Sequence, residues 1–120
     1  MGMAAYGNER STAQAIVSTV VDALPSDAPK VLEVRVRIGV LTGIVPEALV
    51  RAYDLAARET PLADSALNVE RAPVVIHCPQ CDADRLLAGT ADLCCPVCGT
   101  RSDDVRDGKD MEILSLVLDD

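Results

Sequence analysis

The sequence predicts an α+β fold: a small mixed sheet with two helices on it, and a small ribbon-like lobe inserted before the last strand. Three observations predict it. Apolar residues recur at helical spacing from Ala13 to Leu24, apolar and charged residues alternate from Leu32 to Ile38, and two Cys-x-x-Cys pairs lie between strand-like runs at 74–76 and 111–118.

The first helix follows from Ala13, Ile16, Val17, Val20, Val21 and Leu24, which draw one apolar stripe down a helix surface. Ser11 with Gln14 matches a capping box, Asn8 offers a cap for an earlier start, and Pro25 and Pro29 end the element. Leu32, Val34, Val36 and Ile38 then alternate with Glu33, Arg35 and Arg37, the pattern of a strand buried on one face. Gly39 and Gly43 mark the turn after it. Pro46 suits the first turn of a second helix, Glu47 complements its positive end, and Leu49, Ala52, Tyr53 and Ala56 form its apolar face as far as about residue 59. Glu47 and Arg51 read as an exposed pair one turn apart. Leu67, Val69 and residues 74–76 read as strands leading into the lobe, and 111–118, apolar on both faces, as a strand inside a sheet. Residues 82–92 and 102–110 read as polar loops of the lobe. The domains expected are an α/β domain of residues 8–72 and 111–118, and an inserted lobe of residues 73–110.

The lobe is built on Cys78-Pro79-Gln80-Cys81 and Cys95-Pro96-Val97-Cys98-Gly99, with thirteen residues between the two pairs. Two residues between cysteines let both sulfurs of a turn face one ion, while backbone N–H groups donate to them and spread their charge. Four such sulfurs suit zinc, a borderline-soft ion without redox chemistry, so the lobe reads as zinc-ribbon-like. The zinc ligands expected are Cys78, Cys81, Cys95 and Cys98. Cys94 stands beside Cys95 and either can be the third sulfur, but Cys95 keeps the two-residue spacing to Cys98. A pair of disulfides is the alternative. An odd total of five cysteines, with no apolar signal segment at the start, speaks against it and for a cytoplasmic protein.

With no Phe or Trp the core must be packed from Val, Leu, Ile and Ala. The formal charge of −8 falls to about −10 with four thiolates around one Zn²⁺, which argues against nucleic acid as partner. Locally, Arg101, Arg106 and Lys109 are outnumbered by Asp103, Asp104, Asp107 and Asp110, so no basic face forms there. No run approaches the roughly 20 apolar residues that span a bilayer, so no membrane association is expected. An enzyme is not expected either: four cysteines leave zinc no open position, and no base, nucleophile or phosphate-binding loop is apparent.

The chain resembles the hydrogenase nickel-incorporation family, HypA/HybF. The residues that carry the resemblance are Ser11 and 13–16 in the first helix, the run Ile38-Gly39-Val40-Leu41-Thr42-Gly43-Ile44-Val45-Pro46-Glu47-Ala48-Leu49, the two cysteine pairs, and Gly108-Lys109-Asp110-Met111-Glu112-Ile113 before the last strand. The resemblance implies a nickel-binding α/β domain joined to a zinc domain, a maturation factor for [NiFe]-hydrogenase without catalytic turnover. It also implies two partners, a nickel-handling GTPase and the hydrogenase large-subunit precursor.

The sequence departs from the family at the nickel motif. Family members typically begin Met-His-Glu, which gathers an amine, an imidazole and backbone amides around Ni²⁺. The matching stretch here is Gly7-Asn8-Glu9, with six residues before Gly7. Asn8 and Glu9 are therefore the nickel-motif positions, with a carboxamide in place of the imidazole. Glu9 equally reads as a first-turn carboxylate complementing the helix dipole. His77, the single histidine, stands beside the first zinc cysteine, either as a strand-end side chain or as a nickel ligand or pH-sensitive group coupling the two metal regions. A second functional reading follows from the same departure: a zinc-lobe adaptor of this fold that has lost nickel binding.

Overall fold

The computed structural model describes residues 9–87 and 92–119. Helix α1 (Glu9–Ala23) leads into strand β1 (Val31–Gly39), a 3-10 turn (Val40–Thr42) and helix α2 (Pro46–Ala57). Strands β2 (Ala66–Ala72), β3 (Val75–Cys78), β4 (Ala83–Leu86), β5 (Val105–Asp107) and β6 (Met111–Leu118) follow. They form two sheets, one in the order β2-β1-β6 and one in the order β4-β3-β5. In the first, β1 runs parallel to β2 and antiparallel to β6, so the sheet is mixed, as expected.

One core joins the first sheet to both helices. Ala13, Ile16, Val17 and Val20 of α1 meet Leu49, Tyr53 and Ala57 of α2 over Val34, Val36 and Ile38 of β1. Tyr53 is the large aromatic anchor of this core, fully buried with its hydroxyl 2.5 Å from Ser65 Oγ. Burial raises the Tyr53 pKa, partly opposed by that hydrogen bond, so the phenol stays neutral.

Five expectations are corrected. Strand β6 lies at the edge of its sheet and β1 at the centre. Its two apolar faces have separate causes: Met111, Ile113 and Leu116 pack against the core, while Leu114 and Leu118 remain 45% and 38% exposed. Helix α1 begins at Glu9, which places Ser11 inside its first turn and not at its cap; Asn8 lies outside the described residues. Helix α2 stops at Ala57, because Arg58 has extended backbone and Glu59 takes φ 62°. The segments expected as polar loops each contain a strand, β4 and β5, which flank β3 and complete the second sheet. Glu47 and Arg51 form no ion pair among the described residues.

The two sheets are joined through backbone. Gly39 N–H donates to the Asp110 carbonyl and Leu41 N–H to the Gly108 carbonyl, at 2.9 and 2.8 Å. A Cβ on Gly39 would stand 2.3 Å from the Gly108 carbonyl, and one on Gly108 would stand 2.5 Å from the Pro73 carbonyl oxygen. Arg37 of β1 reinforces the junction with a bidentate pair to Asp107 of β5, at 2.9 and 2.8 Å. That pair holds the Asp107 carboxyl below its usual range. A cleft of about 690 Å³ opens beside it between α1 and the start of β6, lined by Ser11, Arg37, Asp107 and Glu112 among others.

Two outcomes are expected from this junction. Gly108 sits at φ +91°, so Gly108→Ala should cost about 1–2 kcal/mol from backbone conformation and more from the collision with Pro73, read as a lower urea midpoint. Asp107 has a depressed folded-state pKa, so its contribution is present above the ordinary carboxylate range and is lost as pH falls through the folded value. The stability gap between the parent and Asp107→Asn should therefore be widest near neutrality and close below about pH 4; a gap that persists unchanged into acid would contradict the pairing.

Candidate metal centre

The first cysteine turn is the tip of a hairpin. Cys78 ends β3 and opposes Ala83 of β4, so the strands deliver Cys78 and Cys81 to one end of the second sheet. The second turn is the tip of another: Cys94 bridges Arg101, Cys95 N–H donates to the Thr100 carbonyl, and Gly99 N–H donates back to the Cys95 carbonyl. Gly99 takes φ +81°, a backbone state that glycine adopts without penalty. Ser102 ties this arm to β3, its hydroxyl donating to the His77 carbonyl at 2.5 Å.

The two tips converge. Sγ of Cys78 lies 3.5 Å from that of Cys98, and Sγ of Cys81 lies 3.9 Å from that of Cys95. All four sulfurs fall within 4.8 Å of one another. A tetrahedron with Zn–S bonds of about 2.3 Å requires sulfurs about 3.8 Å apart, so the cluster has the size of a zinc cage. Backbone donors face it as the spacing requires: Cys81 N–H points at Cys78 Sγ and Val97 N–H at Cys95 Sγ, each at 3.4 Å. Cys94 lies outside the group and Cys95 within it.

The thiols are electrostatically uneven. The N–H groups of Cys98 and Val97, against the effect of burial, hold the Cys95 thiol down to about 6. The Cys81 N–H favours the Cys78 thiolate, but burial and the neighbouring thiols override it and push Cys78 up to about 11. Thr100 lowers Cys98, its hydroxyl 3.2 Å from that sulfur. Crowded sulfurs of this kind ionise together only around a cation, which is the chemistry of a closed structural metal site. When bound, zinc supplies a crosslink between the two turns.

The other expected positions lie elsewhere. Glu9 starts α1, and its Oε2 accepts the Val45 N–H at 2.9 Å, so the carboxylate joins α1 to the start of α2. It is a tertiary contact and not merely a solvated first-turn group. Asn8 falls outside the described residues. His77 opposes Asp84 across the β3–β4 ladder, with Nδ1 3.0 Å from Asp84 and Nε2 3.5 Å from Asp82. Alternation along β3 puts it on the face away from Cys78.

Sequence reasoning missed Arg85. Its guanidinium lies against the Cys81 and Cys95 thiols, and it belongs to a segment read as loop. No alternation announces that strand, since Asp84 and Arg85 are both charged and Leu86 and Leu87 both apolar; the signal available was the cysteine turn itself, which as a hairpin tip returns residues 83–86 along 75–78.

The family described as hydrogenase/urease nickel incorporation, metallochaperone, hypA matches residues 8–118. Relatives named hydrogenase maturation factor HypA include one from Desulfosudis oleivorans, 34% identical over 92% of this chain and 97% of that one. Another, from Methanothermobacter thermautotrophicus, is 36% identical over 93% and 97%. The fold is similar to the solution structure of the Ni metallochaperone HypA from Helicobacter pylori, with a TM-score of 0.61 at 20% identity over 94% of this chain and 96% of that one. A match across nearly the whole length, joined to relatives above a third identical, places this chain in the HypA family.

Proposed function

We propose that this chain is a metallochaperone that assists nickel insertion into [NiFe]-hydrogenase, with Zn²⁺ held by Cys78, Cys81, Cys95 and Cys98 as its structural metal. The observation that carries the nickel role is the family match over residues 8–118; the one that supports zinc is the convergence of four sulfurs at cage spacing. The adaptor without nickel is not favoured, because the family is described by nickel incorporation.

Residues 73–110 act as a zinc domain inserted into the α/β domain of 8–72 and 111–118. The lobe core is thin, with Val74, Ile76 and Leu87 as its buried apolar residues among those described. Zinc binding in such lobes is folding free energy of roughly 10–16 kcal/mol, so the metal holds the two turns in place. The protein has no turnover of its own: it binds Ni²⁺ as cargo and passes it on. Its partners are a nickel-handling GTPase and the hydrogenase large-subunit precursor, and it works in the cytoplasm. Among the described residues no helix is long and apolar enough to cross a membrane.

Metal analysis separates the cysteines. Purified protein should carry one zinc per chain; Cys95→Ser should lose it and Cys94→Ser should keep it. Equal retention by both variants would overturn the ligand set. The function itself is tested in cells lacking their own nickel-incorporation factor, where this chain should restore hydrogenase activity and Asn8→His should restore it at lower nickel. No restoration by zinc-loaded protein would refute the nickel role.

A further inference from the structure

Arg85 stands in β4 directly opposite Ile76 of β3. Opposed residues in an antiparallel ladder share a face, and successive residues of a strand alternate between faces. Arg85 therefore lies on the face that carries Ile76 and Cys78, both fully buried, while His77 and Asp84 lie on the other. A guanidinium on such a face is costly unless negative charge meets it. The groups beside it are the sulfurs of Cys81 and Cys95. Its Nε is sealed from solvent without a hydrogen-bond partner among the described residues.

Those two sulfurs belong to different turns and lie 3.9 Å apart. We propose that Arg85 is a positioning residue of the metal centre, bridging one sulfur of each cysteine turn and supplying the fixed positive charge that lets four thiolates close on a divalent ion. The proposal rests on reading the cluster as a zinc site. Four thiolates around Zn²⁺ leave an excess of two negative charges, and Arg85 offsets one of them. Its planar fork can donate to two acceptors at once, which the point charge of lysine does less well. Residues just outside a metal's ligands hold those ligands in orientation and commonly change metal affinity by about 10–100-fold.

The experiment compares the parent with Arg85→Lys, Arg85→Gln and Arg85→Met, each competed for zinc against a chromophoric chelator. Co²⁺-substituted samples report whether four sulfurs still surround the metal. The Gln and Met proteins should keep the four-sulfur charge-transfer band yet lose about 10–100-fold in zinc affinity, and Lys should recover part of that loss. Parent-like affinity in Gln or Met would overturn the proposal, as would a Lys protein no better than Met, since that assigns the effect to packing alone. Should Gln and Met fail to fold, alkylation of zinc-loaded Arg85→Lys decides: faster modification of Cys81 and Cys95 than in the parent supports the bridge, and equal rates overturn it. A parent protein that takes up no zinc would instead unseat the zinc reading itself.

Discussion

The architecture depends on one backbone contact, where Gly39 at the end of β1 meets Gly108 ahead of β6. No side chain fits between them: a Cβ on either would collide with main-chain atoms of the other crossing or of Pro73. Because the strands meet backbone to backbone, Gly39 and Leu41 can donate across the gap to Asp110 and Gly108. Arg37 then clamps Asp107 beside that contact, with Glu70 and Glu112 at 3.5 and 3.7 Å from the same guanidinium. The second sheet is thus attached at a defined angle to β1, the central strand of the first.

Given that attachment, the metal centre is a consequence of hairpin geometry. Antiparallel pairing of β3 with β4 brings Cys78 and Cys81 to a tip, and the 93–102 arm brings Cys95 and Cys98 to another. The hydroxyl of Ser102 holds the arms together through the His77 carbonyl. What the lobe lacks is apolar mass, since few of its described side chains are fully buried. Such a unit gains its order from a crosslink more than from a core, which is the usual situation for metal-stapled modules. Burial and the neighbouring thiols drive Cys78 up, while backbone N–H groups hold Cys95 low.

Much of this was legible before any coordinates. The stripe 13–24, the alternation 32–38 and Pro46 each report a local preference, and each became an element at nearly the expected bounds. The sulfur cluster takes in Cys95 and leaves out Cys94, and that grouping follows the two-residue spacing to Cys98, a local property. What was not readable depends on pairing between distant segments. The apolar run of β6 does not say whether its neighbours number one or two, and its exposed leucines are visible only once β1 is seen at the centre. Strands β4 and β5 are short and carry charged residues, so their order comes from β3 between them and not from their own composition. The Glu9–Val45 and Arg37–Asp107 contacts join residues 36 and 70 positions apart, beyond the reach of any periodicity.

The segment that resembles the family most specifically, Ile38 to Leu49, runs along the junction of the molecule. At its start Gly39 and Leu41 are hydrogen-bonded to the connection entering β6, and Val40 and Leu41 pack against the core of the metal lobe. At its far side the Val45 N–H donates to the Glu9 carboxylate at the start of α1. Thr42 stiffens the middle, its hydroxyl accepting the Ile44 N–H and donating to the Gly39 carbonyl. One short, internally hydrogen-bonded stretch therefore touches both the start of α1 and the base of the zinc lobe. The sequence character of this stretch is then a structural demand: small or turn-forming residues where backbones cross, and a free N–H where Glu9 must be met.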